Sequence, residues 1–396
     1  MPHFSSFRRT SVISFAKSAQ STLGVEWELA LVDSKSMELT SRAQEVFDVI
    51  EELSPELLDA STGPHITGEF LDNTVELVTG VSANVAEAVH QLEKAKEQLM
   101  VATDQLGIEI FSAGTHPFSR SIDQPIANKD RYQKMLDRTQ YWGRQMMIYG
   151  VHVHTGIDSK AKALPVLNGL SNFYPHLLAL SASSPFWEGF DTGYASQRAL
   201  MFQQLPTAGL PFSFESWEDY EVFLKDLMVT GVIDDPSENR WDIRPVAHYG
   251  TVEMRVCDGL SSLNDISGLV AFDQCLVESL SRDYEAGKIL APLKPWHMQE
   301  NKWRAARYGL DAIIIQDNDN NELLVTEDIE RLLNIFEPIA RDLDCSDDLA
   351  QIERMIQDGG STAQQRKIAQ ESNNDLTAVV RYLVEQTKSP YFRSAR

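Results

Sequence analysis

Four short segments place Glu, His and Arg where an alternating pattern brings them onto one face of a strand. In Leu23 to Val32, the residues Leu23, Val25, Trp27, Leu29 and Leu31 recur with a period of two, the signature of a half-buried strand. Glu26 and Glu28 of Gly24-Val-Glu-Trp-Glu28 therefore share the opposite face. A solvated strand surface tolerates such a pair, and a bound cation would use it. A second pair lies in Ile66 to Thr79, where Asp72-Asn73 is placed like a two-residue hairpin turn. That turn sets Leu71 opposite Thr74, Phe70 opposite Val75 and Glu69 opposite Glu76. Directly opposed carboxylates are unfavourable unless something cationic sits between them.

In Gly150-Val-His-Val-His-Thr-Gly156, His152 and His154 share a face, a spacing used by metal ligands and by ordinary polar strands alike. In Thr251 to Asp258, Val252, Met254 and Val256 take one face, and Glu253 and Arg255 the other. By itself that last pair reads first as a plain cross-strand salt bridge. Together the four segments predict a sheet with one apolar and one ionisable face. Hard divalent cations such as Mg²⁺ or Mn²⁺ prefer carboxylate oxygens and share their shell with phosphates, so a Glu-rich face suits a metal–nucleotide complex. The chain has no GxxxxGK[ST] motif and no GxGxxG after a strand, so any ATP must be held by metals and arginines rather than a glycine cradle. The three cysteines, Cys257, Cys275 and Cys345, are odd in number and far apart. They fit neither a disulfide framework nor a CxxC zinc site, and a reducing cytoplasm is their simplest home. Cys257 reads as a buried structural thiol.

The elements that must position these residues can be read coarsely. Apolar residues recur at helical spacing from Val85 to Leu106, with Gly107 at the stop. A strand follows over Ile108 to Ala113 and runs into Gly114-Thr-His-Pro-Phe118, and Ile148 to Ile157 alternates again. Leu164 to Ser181 predicts a helix kinked or broken at Pro175, and Ser184 to Phe214 a structured loop of the kind that carries function. Beyond Thr251 to Asp258 the chain turns helical, over Ser262 to Ala286, Glu300 to Ile314, Thr326 to Leu343 and Thr362 to Thr387. No Gly/Ser or Pro-rich linker interrupts the chain, so residues 1–20 read as a tail and residues 21–396 as one catalytic domain with a helical C-terminal third. The 396 residues carry 58 acidic against 35 basic side chains, a net charge of −23. That surplus opposes nucleic acid and anionic membrane surfaces as partners. No apolar run approaches the roughly 20 residues a membrane-spanning helix needs, and the N-terminus lacks the apolar stretch of a secretory signal.

With these residues in this order, from about Ser21 to about Ala369, the chain resembles the carboxylate–amine ligases related to bacterial and plant glutamate–cysteine ligase. The landmarks are Gly-x-Glu-x-Glu at Gly24, Glu69 with Glu76, Gly-Thr-His-Pro-Phe at Gly114 and Gly-Val-His-Val-His at Gly150. Ser-Ser-Pro-Phe and Asp-Thr-Gly between Ser183 and Gly193, Trp-Asp-Ile-Arg at Trp241, Glu-Met-Arg at Glu253 and Glu-Asn-Lys-Trp-Arg at Glu300 complete the set. The resemblance implies an α+β, glutamine-synthetase-like fold: a curved, mainly antiparallel six-stranded sheet forming a funnel, with ATP entering one side and amino-acid substrates the other. It implies that Glu26, Glu28, Glu69, Glu76, His152 and Glu253 hold two or three Mg²⁺ ions on the ATP phosphates, with Arg255 at the transferring phosphate. His154 is then either a further ligand or a support for His152. Arg198 would bind a substrate α-carboxylate or make a loop salt bridge. Arg244, Arg304 and Arg307 are phosphate candidates, with a solvated helix face as the alternative for the last two. The activity implied is ATP-dependent joining of a glutamate-type carboxylate to an amine through an acyl phosphate, with a homodimer compatible. The same fold used as a phosphotransferase, a metal-dependent hydrolase or a non-catalytic nucleotide or amino-acid sensor is the competing expectation.

Overall fold

The alternating run at Leu23 becomes the central strand of the molecule in the computed structural model, which describes residues 13–61 and 63–392. Seven strands form the main sheet: β1 (Leu23–Asp33), β2 (His65–Gly68), β3 (Thr74–Val78), β4 (Ile108–Phe111), β5 (Val151–Gly156), β6 (Ile243–Val246) and β7 (Thr251–Met254). Their order is β2-β3-β1-β5-β7-β6, with β4 paired to β1, and every pairing is antiparallel. The sheet thus has one strand more than six, because β4 takes up the C-terminal part of β1, Ala30 to Asp33.

Leu23, Val25, Trp27, Leu29 and Leu31 are each 2% exposed or less, and full burial of an aliphatic side chain is worth roughly 1.5–3 kcal/mol. Their face is covered by helices α1 (Val85–Leu106), α3 (Lys160–Ser181) and α5 (Leu263–Glu285); α2 (Asp130–Thr139) lies between α1 and α3 in the chain. As the sequence indicates, α1 stops at Gly107, whose φ of +66° is left-handed. Helix α3 runs unbroken through Pro165 and Pro175. It is buried on almost every side, so packing outweighs the backbone bonds that proline removes.

Other boundaries differ from expectation. The loop from Ser184 contains a short helix, α4 (Gln197–Phe202), and a helix over Trp217–Val229 follows it. Helix α6 (Pro295–Tyr308) stops at Gly309, and Ile313–Ile315 pairs as a strand with Glu322–Leu324 instead of continuing the helix. The segment Thr362 to Thr387 is two helices, Gly360–Glu371 and Leu376–Lys388, parted by Asn373 and Asn374 at positive φ. Of the tail expected over residues 1–20, residues 1–12 lie outside the described residues, while Ile13 and Phe15 pack on the core and the Ala16 N–H donates to Ala247 O at 2.7 Å. Among the described residues, no helix is long and apolar enough to cross a membrane.

Candidate active site

Strand register brings the ionisable residues into rows across the polar face. Arg244 of β6 lies opposite Glu253 of β7, which lies opposite His154 of β5. In the next row His152 of β5 faces Glu26 of β1, and in the third Glu28 of β1 faces Glu76 of β3. The hairpin departs from its expected register. Glu76 faces Thr67 and Gly68 faces Val75, so the connection is longer than the two-residue turn and Glu69 sits in it, off the ladder. The shift is by two residues, which preserves the face, and Glu69 still joins Glu76.

These side chains, apart from the fully buried Glu253, form the floor of a cavity of about 1130 Å³. Three groups in it offer ligand atoms that lie within 4.8 Å of one another: Glu26, Glu76 and His152; Glu26, His154 and Glu253; Glu28, Glu69 and Glu76. Such carboxylate-rich sets suit hard divalent cations. His154 falls in a ligand group of its own, with Nε2 at 3.3 Å from Glu26 Oε1 and 3.9 Å from Glu253 Oε1. That Nε2 is buried and has no hydrogen-bond partner among the described residues, which fits a metal-binding imidazole.

The charges are unevenly balanced. Burial would raise the Glu26 carboxyl, but the hydrogen bond from His152 and the nearby His154 outweigh it and hold the group well below the usual range. Burial acts likewise on Glu253 and is overcome by Arg255, Arg244 and His154, so Glu253 is also lowered; its two oxygens take Arg244 Nε and Arg255 Nη1. Glu28 is pushed up to about 7 by burial and by the charge of Glu69. Burial also raises Glu69, and burial with three neighbouring carboxylates takes Glu76 well above its ordinary value. Burial and Arg255 lower His152 to about 4, so it is neutral, whereas Glu253 and Glu26 overcome burial and raise His154. At one end of the floor paired cations lower the carboxyls, and at the other burial and mutual repulsion raise them.

The predicted arginines divide. Arg255 lies just past β7, with its guanidinium on the polar face against Glu253 as expected, and Arg244 reaches the same Glu253 and lines the cavity. Arg198, buried on α4, also lines the cavity but makes no salt bridge among the described residues; both its Nη atoms donate to Arg255 O at 3.3 Å, and Nη1 to Val256 O at 3.2 Å. Arg304 and Arg307 are not brought to the cavity. Arg304 pairs with Glu300 and Glu322, and Arg307 donates to Gly193 O and stacks on Tyr194 and Tyr308. Their helix turns this face outward. Cys257 is fully buried, its thiol pushed up to about 12 by burial.

Sequence reasoning missed Arg131, Lys134 and Arg138 of α2, and Arg240, all of which line the cavity. The first three recur at intervals of three and four, a basic stripe on one helical face that was legible as a pattern but not assignable to the site. Arg131 lies close enough to Glu69 and Glu76 to feel their charge. Arg240 is lowered by burial and by Arg255, Arg244 and Arg138, which marks a cluster of cations beside the carboxylate floor.

A model of glutamate–cysteine ligase family 2 matches residues 22–382. A relative from Paenarthrobacter aurescens (strain TC1), provisionally named glutamate–cysteine ligase 2-2, is 54% identical over 376 residues, covering 95% of this chain and 98% of its own. One from Mycolicibacterium smegmatis, provisionally named glutamate–cysteine ligase 2-1, is 51% identical over 380 residues, covering 96% and 98%. Among solved structures, the fold is similar to glutamate–cysteine ligase from Francisella tularensis in complex with AMP, with a TM-score of 0.66 at 14% identity over 96% of this chain and 91% of that one. It is also similar to a bifunctional glutathione synthetase from Pasteurella multocida, with a TM-score of 0.65 at 16% identity over 93% of this chain and 52% of that one. Those two likenesses speak for the fold. The family match and the close relatives, each spanning almost the whole chain, show that the protein belongs to glutamate–cysteine ligase family 2.

Proposed function

We propose that this protein is an ATP-dependent carboxylate–amine ligase that activates a glutamate-type carboxylate as an acyl phosphate and joins it to an amine, releasing ADP and phosphate. The observation that carries this reading is the set of three overlapping ligand groups on the cavity floor, with Arg255 and a cluster of further arginines beside them. Glu26, Glu28, Glu69, Glu76, His152 and Glu253, joined by His154, would hold two or three Mg²⁺ or Mn²⁺ ions, which when bound neutralise phosphate charge. Family membership and the ligase names of the relatives point the same way.

In the first step a carboxylate oxygen of the acid bonds to the γ-phosphorus of ATP and the bond to ADP breaks. Arg244, Arg240 and Arg138 face the cavity and would bind phosphate oxygens. Among the described residues the Arg255 guanidinium is held by Glu253 through Nη1, which leaves the rest of it for the transferring group. In the second step the amine nitrogen bonds to the acyl carbon, phosphate leaves, and the nitrogen gives up a proton to a neighbouring carboxylate. The oxyanion formed there would be stabilised by Arg255, by roughly 3–4 kcal/mol if it acts as one oxyanion-hole donor. The buried, free thiols of Cys257, Cys275 and Cys345 fit a reducing cytoplasm.

The test is ADP release from ATP and Mg²⁺ with glutamate and a panel of amines, with Glu26→Gln as the control. ADP formation that requires both an acid and an amine supports the proposal. ADP without amine consumption would make the protein a phosphotransferase or hydrolase, and tight nucleotide binding without turnover would make it a sensor.

A further inference from the structure

Two of the sequence landmarks, Trp-Asp-Ile-Arg at Trp241 and Glu-Asn-Lys-Trp-Arg at Glu300, supply only Arg244 to the cavity floor. What they do share is a buried ion pair. Lys302 Nζ of α6 lies 2.7 Å from Asp242 Oδ2, with the two side chains only 4% and 3% exposed. The Lys302 ammonium also sits 5.5 Å above the Tyr174 ring of α3, and the Tyr174 hydroxyl lies close enough to the Asp242 carboxylate to feel its charge. Neither member of the pair lines the cavity.

A buried ion pair is a poor way to gain stability. Desolvating both charges cancels most of their attraction, and an apolar pair of the same shape often does as well, so such pairs are best understood where they specify a geometry. Here the geometry is that of Arg255. The β5–β7 and β6–β7 ladders both end at Met254, so the Arg255 peptide lies beyond regular strand pairing. Its N–H donates to Asp242 O at 2.8 Å. Its carbonyl accepts from both Nη atoms of Arg198. Asp242 is tied in turn by its own N–H to Gly209 O at 2.8 Å. The backbone that carries Arg255 is therefore gripped on one side by Arg198 and on the other by Asp242.

We propose that the buried Lys302–Asp242 pair is a positioning device for Arg255: Lys302 anchors the Asp242 side chain, the Asp242 carbonyl holds the Arg255 amide, and the guanidinium is thereby aimed at the reacting group. The catalytic part of this inference rests on the proposed ligase reading, and the positioning part does not. A misplacement on the order of 1 Å at a reacting group can cost about 100-fold in rate.

The experiment uses the full chain with Lys302→Met, Lys302→Arg, Arg255→Lys and the combination of Lys302→Met with Arg255→Lys. The expected result for Lys302→Met is a kcat lower by about 10- to 100-fold with KM for ATP and for the acid within about threefold of wild type. In the Arg255→Lys background the same change should cost less than about threefold, because the element it positions is already altered. A kcat within about twofold of wild type in folded Lys302→Met, or a loss that multiplies in full with that of Arg255→Lys, overturns the proposal. If Lys302→Met does not fold, the charge-neutral pair Lys302→Met with Asp242→Asn takes its place in the same comparison. Amide hydrogen exchange separates this outcome from failure of the ligase reading. Whether or not the wild type turns over, Lys302→Met should speed exchange across residues 251–258 at least about tenfold while β1 is unchanged, and Lys302→Arg should restore protection. Unchanged exchange in that segment sinks the positioning role.

Discussion

Glu26 and His152 stand directly opposite each other across β1 and β5, with His152 Nδ1 2.8 Å from Glu26 Oε2. Glu26 is held ionised and His152 neutral, so the shared proton belongs on Nδ1, which donates it to the carboxylate. The Nε2 lone pair is then left facing Glu28 Oε1 at 4.0 Å, the arrangement in which a carboxylate orients a metal-binding imidazole.

Glu26 belongs to two of the three ligand groups. Glu26→Gln should remove their shared charge and reverse the hydrogen bond to His152. Calorimetric titration with Mn²⁺ should show affinity lower by about 10- to 100-fold, with ligase turnover falling at least as far. Unchanged Mn²⁺ binding would remove Glu26 from the ligand set.

The metal-free protein should lose stability as pH rises above about 6.5. Glu28, at about 7, titrates in the fold above its unfolded value of about 4.5. Its contribution is therefore complete below 4.5 and lost as pH climbs through 7, by up to about 3 kcal/mol. His154, also raised, has the same sign above 6.5. His152, lowered to about 4, opposes them only below 6.5. Thermal melts in EDTA should show Tm falling less between pH 4.5 and 7 in Glu28→Gln than in wild type. Added Mg²⁺ should stabilise more at pH 8 than at pH 6, since at the lower pH it must displace protons.

Arg304→Ala and Arg307→Ala should leave KM for ATP within about twofold of wild type, because both side chains are engaged away from the cavity. The cost should be a partly exposed ion pair for Arg304 and a carbonyl hydrogen bond for Arg307, each about 1 kcal/mol or less. Arg240→Ala, inside the cavity, should raise KM for ATP about tenfold, as expected for a charged hydrogen bond of roughly 1.5 kcal/mol. Steady-state kinetics on the three variants, side by side, decides the assignment.

Gly150→Ala probes a close approach. A Cβ there would overlap Arg198 Nη2 and lie 3.1 Å from Cys257 O. The guanidinium has no free direction, being buried and bonded to the Arg255 and Val256 carbonyls. The variant should lose about 1–3 kcal/mol in urea unfolding and should lose kcat through Arg255 as well. A fully active, fully stable Gly150→Ala would show that Arg198 does not need this place.

What the sequence by itself determined is which side chains share a face. The period of two in β1, β5 and β7 is local, and burying Trp27, Val153 and Met254 leaves Glu26, Glu28, His152, His154 and Glu253 no other side to occupy. The end of α1 at Gly107 was equally local, a matter of one residue's φ. The tertiary structure decided what depends on closing loops. It moved the β2–β3 register by two residues and put Glu69 in the connection, because a turn longer than two residues leaves no mark in alternation. It turned Arg198 onto the backbone of Arg255, and it brought Arg131, Arg138 and Arg240 from distant segments to the carboxylate floor. A strand pattern says which way a side chain points along its own chain, whereas its partner is chosen by packing between elements far apart in sequence, and that choice is where the candidate site is made.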